Sequence, residues 1–264
     1  MKVIQAETNI GLIRKNNEDV ALALTHPKDE NIHLLLVADG MGGKEHGEYA
    51  SFYTAKSIEK WFKTKSPKTL NNLEKAEDEL VELIEKINTA IIKKCGENVS
   101  GTTLSVAIIT RTGTVLGNIG DSRIYIYKGK KLIQVSEDDS DVWYYYKYGA
   151  VQKDDLRYFF NNNIITACIG LSEDICNIST QIIDNDYDIL LLLTDGVTDL
   201  ITDKKIKKII ASNRKSLILK KLIYEAVYIE QNLRVPLRLR RKKLSKYILP
   251  FHGRDNASGA IYLK

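Results

Sequence analysis

Five segments of this 264-residue chain place acidic residues at the ends of short apolar runs. The acidic residues concerned are Glu18 with Asp19, Asp39, Asp121, Asp195 and Asp255. Any one of them has a structural explanation, because Asp and Gly are common in turns. Five such segments at one end of a sheet would repel one another and have raised pKa values unless a cation lay among them. The pattern therefore predicts a site for a divalent metal ion.

The residue types indicate which metal. Carboxylates are hard oxygen ligands, and the four histidines form no HExxH motif, so Mg²⁺ or Mn²⁺ is favoured over zinc or copper. Gly40 follows Asp39, and with no side chain at Gly40 we expect its backbone carbonyl to approach the ion as well. Asp199 lies four residues after Asp195, so one helical turn would put both on the same face. A capping role for Asp199 explains the spacing equally well.

Apolar runs and helical periodicity indicate the elements that must position these acids. Strands are predicted at 2–8, 19–25, 32–38, 102–110, 114–120, 123–128, 131–136, 177–183, 188–194 and 257–264. Helices are predicted from Glu48, over about 70–91, and at 203–212 and 215–231, with a mixed stretch from Ser140 to about Phe160. We expect Asp39 where the third strand gives way to a glycine-rich turn. Antiparallel strands with paired helices between them favour α+β layers over βαβ units.

The composition is that of a folded domain, with 44% hydrophobic and 28% charged residues. The three cysteines, Cys95, Cys168 and Cys176, form no CxxC pair and are too few for a disulfide framework. The apolar runs are too short to span a membrane and the N-terminus is typical of a strand, so we expect a cytoplasmic protein. A net charge of +5 favours an acidic partner or substrate without requiring nucleic acid.

Seven segments, in chain order, resemble the metal-dependent protein phosphatases of the PPM, or type 2C, class in their compact bacterial form. The segments are GLIRKNNEDV, VADGMGGKEHGEYAS, GTTLSVAII, GNIGDSRIYIYKGKKLIQVSEDDS, NNIITACIG, LLLTDGVTDL and GRDNAS. Seven in the correct order over nearly the whole chain are highly specific. The resemblance implies a four-layer αββα sandwich of two antiparallel sheets flanked by helix pairs. It also implies hydrolysis of phosphoserine and phosphothreonine in proteins, opposing a Ser/Thr kinase in bacterial signalling.

The resemblance further implies the residues of a two-metal site. Asp39 resembles the carboxylate that bridges two Mn²⁺ or Mg²⁺ ions, with the Gly40 carbonyl on the second ion. Asp195 and Asp255 resemble the other ligands of the first ion. Two such ions can share a water and make it a nucleophile toward phosphorus. Arg14 matches the phosphate-binding arginine, whose planar fork can hold two phosphate oxygens.

The other matching positions have supporting roles in the family. Glu18 resembles a ligand that acts largely through bound water, and Asp19 resembles its neighbour outside direct coordination. Asp121 and Asp199 match the third metal site of bacterial members, so a third ion belongs to the prediction. Asn256 follows the last ligand, as it does in the family.

Two single positions depart from the family pattern. Asp139 stands where the family usually has a histidine, between matching residues Asp138 and Ser140. Met41 follows the DG pair, as in bacterial members, so a histidine acid at that place is missing and water is expected to protonate the leaving group. His46 is an alternative acid, although a histidine at a helix start is more often a surface residue.

Two longer segments also differ. The flap region, about 140–163, is dense in Tyr and Trp, which either pack the flap onto the sheet or bind peptide. An insert at 232–253 predicts docking to an acidic protein, an anionic membrane surface or nucleic acid. A solvated surface insertion explains its charge equally well. The basic residues of this insert are Arg234, Arg238, Arg240, Arg241, Lys242, Lys243 and Lys246.

A cysteine-dependent phosphatase and a binding module are the alternatives to this function. A cysteine-dependent phosphatase needs Cys and Arg six residues apart, and the residues at that spacing are Gly101, Asp174 and Ile182. A phosphatase-fold binding module with weak or lost catalysis, docking through the insert, is the rival from another class. The complete set of expected carboxylates disfavours it. We expect one domain over residues 1–264 and a monomer.

Overall fold

The computed structural model describes residues 2–42, 46–96, 100–159, 164–173, 178–229 and 253–264. The predicted basic insert, all but its last residue, lies outside these ranges. So do Cys176, the side chain of His46 and the end of the predicted flap.

Strands and helices follow one another in the predicted order. The strands are β1 Val3–Asn9, β2 Asp19–His26, β3 Asp29–Gly42, β4 Ser100–Thr102, β5 Leu104–Ile109, β6 Thr114–Ile119, β7 Arg123–Lys128, β8 Lys131–Gln134, β9 Ser179–Ile183, β10 Ile189–Leu193 and β11 Ala257–Leu263. The α-helices are α1 His46–Thr64, α2 Pro67–Leu70, α3 Leu73–Cys95, α4 Asp141–Lys147, α5 Asp195–Thr198, α6 Asp203–Ser212 and α7 Ile218–Tyr228. Short 3₁₀ turns lie at Lys153–Tyr158 and Lys215–Leu217. Within the described ranges, no helix has the length and apolar character needed to cross a bilayer.

The strands form two antiparallel sheets. One sheet has the order β1-β11-β10-β7-β8, and the other has the order β2-β3-β5-β6-β9, with β4 paired to β3. Helices α1 to α3 pack on the second sheet and helices α5 to α7 on the first, with a third apolar core between the sheets. The resulting αββα sandwich confirms the fold class expected from the sequence.

Alternation of side chains explains why the central strands are apolar throughout. In β3, Leu34 and Leu36 pack under the helices, whereas Leu35 and Val37 pack between the two sheets. Successive side chains of a strand point to opposite faces, and both faces of this strand are covered. Strand β10 divides its leucines in the same way. Such strands therefore appear in the sequence as short continuous apolar runs.

The end of β3 corrects one prediction. We expected a glycine-rich turn after Asp39, but β3 continues to Gly42 and pairs with β4, Gly40 lying opposite Thr102 and Met41 opposite Gly101. The glycines favoured a turn locally, and pairing with a distant strand overrides that preference.

Two predicted elements are each divided in the structure. The strand predicted at 102–110 becomes β4 and β5, because the N–H of Thr103 leaves the ladder and donates to the Asp39 carbonyl at 2.9 Å. The helix predicted at 70–91 becomes α2 and α3. Asn72 begins the second helix, since its side chain accepts from the N–H of Lys75 at 3.1 Å, as a helix-capping residue does.

Candidate active site

Three aspartates from different elements meet at one end of the sandwich. Asp39 of β3 lies directly opposite Asp19, the first residue of β2, and Asp195 begins α5. Desolvation raises the pKa of Asp39 well above its usual range, and the charges of Asp19, Asp195 and Asp121 raise it further. Desolvation also raises the pKa of Asp195, followed by the charge of Asp121. Asp39 and Asp195 are only half-buried, so the cluster stays open to solvent.

Several carboxylate oxygens in this cluster have no partner. The Oδ1 atoms of Asp19, Asp121 and Asp195 are buried without a hydrogen bond. The other oxygen of Asp19 accepts from the Thr194 hydroxyl at 2.9 Å, yet desolvation still raises the pKa of Asp19 to about 7. Buried polar atoms without partners are costly, and a cation would satisfy several of them at once.

A second group of acids adjoins the first. Asp121 follows β6, and it lines one cavity together with Asp195 and Asp199. Desolvation raises the pKa of Asp121 to about 8, with the charges of Asp138 and Asp199 adding to the rise. The N–H of Asp199 donates to the Asp195 carbonyl at 2.8 Å, so the helical turn predicted from their spacing exists. Asp199 is also the residue at which that turn ends.

Glycines let the acid-bearing elements approach closely. A Cβ on Gly40 would overlap the Gly47 carbonyl oxygen and lie 2.7 Å from that of Glu18. The N–H of Gly40 donates to the same Glu18 oxygen at 3.0 Å. A Cβ on Gly196 would overlap the carbonyl oxygen of Asn256. Packing of α1 against β3 is thus a reason for glycine at position 40 that the sequence did not reveal, and contact of its carbonyl with an ion stays a prediction.

Asn256 ties the loop at 10–18 to the last strand. Its Oδ1 accepts from the N–H of Glu18 at 2.8 Å. Its Nδ2 donates to the carbonyls of Ile10 and Asn16 at 2.9 and 3.0 Å. This buried amide is thus used in holding the loop and the backbone of Glu18.

Arg14 extends from that loop to Asp255. Its Nη2 donates to Asp255 Oδ2 at 2.7 Å, and the two side chains are 46% and 37% exposed. The hydrogen bond to Asp255 raises the pKa of Arg14, with smaller contributions from Glu18 and Asp39. A guanidinium held at the rim of the acidic cluster is in position to meet an incoming phosphate.

A buried ion pair beside Asp121 was not assigned from the sequence. Arg123 donates Nε and Nη2 to Asp138 Oδ2 at 2.8 and 2.7 Å, and both residues are at least nine-tenths buried. Burial alone would lower the pKa of Arg123, but the Asp138 carboxylate raises it. The only signal was the arginine of GDSR followed by the matching aspartate of EDDS. The positive charge of Arg123 partly offsets the desolvation that raises the pKa of Asp199.

Asp139, which replaces the family histidine, holds the turn that carries Asp121. Its Oδ2 accepts from the N–H of Gly120 at 2.9 Å, and its own N–H donates to the Gly120 carbonyl at 2.9 Å. Gly120 has a φ of +97°, a conformation that favours glycine. The N–H of Thr166 donates to the Asp139 carbonyl at 2.8 Å. Asp139 therefore connects three segments, and its desolvation raises its pKa to about 6.

The flap region has a small core of its own. Val142, Trp143, Leu156 and Phe159 pack together, and two of them, Val142 and Leu156, also line the acidic cavity. Packing thus accounts for the buried tryptophan. It does not account for Tyr148, which is 84% exposed.

The family model described as Protein phosphatase 2C matches residues 15–218. The chain belongs to that family. Serine/threonine phosphatase stp of Listeria monocytogenes serotype 4b is 31% identical to it over 213 residues, 78% of this chain and 82% of that protein. The crystal structure of serine/threonine phosphatase Stp1 from Staphylococcus aureus is 26% identical, with a TM-score of 0.79 over 100% of this chain and 95% of that one.

A third relative matches in fold alone. The catalytic domain of serine threonine protein phosphatase PstP, in complex with 2 manganese ions, is 22% identical, with a TM-score of 0.73 over 99% of this chain and 97% of that one. The family and enzyme class expected from the sequence are confirmed. The rival interpretation as an inactive binding module gains no support, because the Listeria and Staphylococcus relatives are named as phosphatases.

Cysteine chemistry does not suit this type 2C phosphatase. Burial raises the pKa of the Cys168 thiol to about 12, and the thiolate is the nucleophilic form of cysteine. Cys95 is half-buried at the end of α3. The described part of the chain therefore points to the acidic cluster, and not to Cys168, as the candidate site.

The acidic cluster fits a hard metal ion by its donor chemistry. Its side-chain donors are carboxylates, and the Oδ1 atoms of Asp19, Asp121 and Asp195 lack partners. Among the described residues, no three His, Cys, Asp or Glu side chains converge as a finished ligand sphere. Asp255 instead bonds to Arg14, and the remaining acids hold raised pKa values. The ligand types are in place at this end of the sandwich.

Proposed function

We propose that this protein serine/threonine phosphatase hydrolyses its phosphoprotein substrates at the acidic cluster. Asp39, Asp195 and Asp255 are the proposed ligands of the first metal ion, and the Gly40 carbonyl joins Asp39 at the second. The observation that carries the proposal is the group of crowded carboxylates whose pKa values are raised and whose buried oxygens lack partners. Carboxylates this close together favour their protonated forms unless a cation lies among them.

Mn²⁺ or Mg²⁺, as two ions with a third at Asp121 and Asp199, would supply positive charge and acidify a water for attack on phosphorus. The manganese-bound PstP structure supports this choice, as does the all-oxygen donor set. Glu18 serves the cluster largely through water. Desolvation is the chief cause that raises the pKa of Glu18. A cation nearby would lower this pKa again.

Arg14 is the proposed phosphate-binding residue. In this structure Arg14 donates to one oxygen of Asp255. A phosphate group could accept two parallel hydrogen bonds from the same guanidinium. Exchange of one anion for another keeps the guanidinium neutralised and would leave Asp255 free to hold a metal ion. Positive charge at that place also offsets the negative charge that the phosphoryl group carries during transfer.

Other residues hold these groups in place. Thr194 bonds Asp19, and Asn256 holds the backbone of Glu18. Met41 lies in β3 opposite Gly101 and has no acidic proton to give, so a water is the proposed acid for the leaving alcohol. Arg123 keeps a compensating positive charge inside the acidic end.

The proposed partners rest on the sequence alone. The substrate is a protein phosphorylated by a Ser/Thr kinase. The insert at 232–253 docks an acidic protein, an anionic membrane surface or nucleic acid. The chain is proposed to be a cytoplasmic monomer with one domain over residues 1–264.

The test is phosphate release from a phosphothreonine peptide with Mn²⁺, with Mg²⁺ and with chelator. Turnover should require the metal, and Asp39→Asn should abolish it. Asp186→Asn is the matched control, because Asp186 is 73% exposed and its ion-pair partner among the described residues is the surface residue Lys128. Full turnover in chelator, or in the Asp39→Asn protein, would disprove the assignment.

A further inference from the structure

Three large aliphatic side chains stand exposed on the loop that leads to Arg14. Ile10, Leu12 and Ile13 are 39%, 51% and 63% exposed. None of them has a part in the hydrolysis described above. Aliphatic side chains grouped beside a binding group are typical of an interaction surface, and we call these three residues the apolar patch.

The backbone under the apolar patch is fixed. The N–H of Leu12 donates to the Gly253 carbonyl at 2.5 Å, and the N–H of Gly11 donates to Asn9 Oδ1 at 2.9 Å. Gly11 has a φ of +80°, and a Cβ there would overlap the Asp255 carbonyl oxygen. The backbone of Gly11 and Leu12 is thus held in place, so binding to this loop costs little ordering of its backbone.

We propose that the apolar patch binds a large apolar side chain next to the phosphorylated residue of the substrate. The inference rests on the proposed function, since it takes Arg14 as the phosphate-binding residue. Ile13 is the chain neighbour of Arg14, and an extended peptide advances about 3.3–3.6 Å per residue. The proposal therefore places a substrate residue one to three positions from the phosphate beside Ile13. The substrate class is a phosphoprotein segment with Leu, Ile, Met or Phe at such a position.

Charge argues against a membrane as the occupant. The apolar patch adjoins the acidic cluster, in which Glu18, Asp39 and Asp255 all lie close enough to act on Arg14. Acidic groups beside the patch oppose an anionic lipid surface. A phosphopeptide brings its negative charge to Arg14 and only its apolar side chain to the patch. A phosphopeptide is thus the occupant that suits both Arg14 and the apolar patch.

The experiment compares substrates and variants of the whole chain loaded with Mn²⁺. The substrates are p-nitrophenyl phosphate and three phosphothreonine peptides that differ only in carrying Leu, Ser or Asp on both sides of the phosphothreonine. Ile13→Ser is the variant. Ile133→Ser is the matched control, because Ile133 is 47% exposed on β8, the strand at the opposite edge of the same sheet from β1.

The wild-type protein should prefer the Leu-flanked peptide. Ile13→Ser should lower kcat/KM for that peptide about tenfold, equivalent to about 1.4 kcal/mol, chiefly through KM. The Ser-flanked peptide and p-nitrophenyl phosphate should be unaffected, and Ile133→Ser should change none of the four.

Each other outcome overturns the inference. Equal loss on all four substrates would mean that Ile13 supports Arg14 and does not recognise a neighbouring residue. Unchanged peptide kinetics with lost binding to phosphatidylglycerol vesicles would make the apolar patch a membrane surface. Wild-type turnover without any preference among flanks removes the inference alone, whereas no turnover on any substrate removes the proposed function with it.

Discussion

Asp19 and Asp39 lie directly opposite each other across the ladder of β2 and β3. Residues paired in this way have Cβ atoms about 4.5–5.5 Å apart, and like charges there destabilise a sheet. The fold holds the pair in place nonetheless. Asp19 accepts a hydrogen bond from Thr194, and β3 continues beyond Asp39 to pair with β4. The sheet thus carries a repulsive pair at the place where the proposed metal ions bind.

Replacement of Asp39 by Asn should stabilise the metal-free protein while abolishing activity. At pH 7 the unfolded carboxyl is ionised, whereas the folded one has a pKa well above its usual range, and Asn avoids that cost. We expect a gain of up to about 1 kcal/mol in unfolding free energy, the scale of a cross-strand pair interaction, measured in urea with chelator at pH 7.

The gain for Asp39→Asn should be smaller at pH 5, where the wild-type carboxyl is closer to protonated in both states. Asp186→Asn should produce no such gain. A less stable Asp39→Asn protein in chelator would contradict the view that repulsion is stored at this pair.

The stability of the metal-free protein should fall as pH rises from 5 to 8. The pKa values of Asp19 and Asp121 are raised to about 7 and about 8, so the folded state holds protons that the unfolded chain has lost. Their contribution is complete below about pH 4 and disappears as pH passes those values. The expected slope is on the order of 1.4 kcal/mol per pH unit for each extra proton bound.

Thermal unfolding in chelator at pH 5, 6, 7 and 8 measures this slope. Added Mn²⁺ should reverse it, because a metal ion competes with protons for the same oxygens and binds better as pH rises. A melting temperature in chelator that is flat or rising over this window would refute the assigned pKa directions.

Asp139→Ala should weaken Mn²⁺ binding about tenfold, a typical effect of losing a residue that orients a metal ligand. It removes the acceptor for the Gly120 N–H and so loosens the turn that carries Asp121. Isothermal titration with Mn²⁺ and kcat measured at saturating metal would report the two effects separately.

Asp139→Asn is the control, because its amide oxygen can still accept from Gly120. It should bind Mn²⁺ within about twofold of wild type, in contrast to the tenfold loss typical of a missing orienting group. If the Asn variant were as weak as the Ala variant, the charge of Asp139, and not its hydrogen bond, would be what matters.

Gly196→Ala should destabilise the fold by about 3 kcal/mol, the upper end of the cost of overpacking. A Cβ there overlaps the Asn256 carbonyl oxygen, and the two backbones carry Asp195 and Asp255. Urea denaturation gives the loss in unfolding free energy.

The comparison for Gly196→Ala is Gly129→Ala. Gly129 has open space around it but a φ of +53°, so we expect a loss of about 1 kcal/mol from the left-handed backbone alone. Equal losses in the two variants would mean that the contact between Gly196 and Asn256 yields without cost.

The sequence predicted most of the fold because the signals were local. Apolar runs marked β3 and β10, and the stripe from Ala76 to Ile91 marked α3, whose members are buried apart from the half-buried Leu83. The acids were recognisable because each follows or precedes a strand. The extension of β3 to Gly42 escaped prediction, since it depends on pairing with β4, about 60 residues away in sequence.

The connections of the site escaped prediction for the same reason. The bond of Asp139 to Gly120 and the ion pair of Arg123 with Asp138 join residues 19 and 15 positions apart. Residue types in EDDS gave no indication of which acid would face a backbone N–H and which an arginine. Only the packed structure distinguishes them.

The hydrogen bonds of Asn256 to the loop at 10–18 determine at what stage of synthesis the protein can become active. Its three bonds reach Glu18, Ile10 and Asn16 across 238, 246 and 240 residues, the kind of long-range contact that forms late and slowly. A ribosome that has released Arg14 and Asp39 must still make most of the chain before the strand that secures their loop exists. We therefore expect phosphate hydrolysis only after β11 has been made and has paired. A nascent or truncated chain that lacks β11 contains the acidic residues but has no catalytic activity.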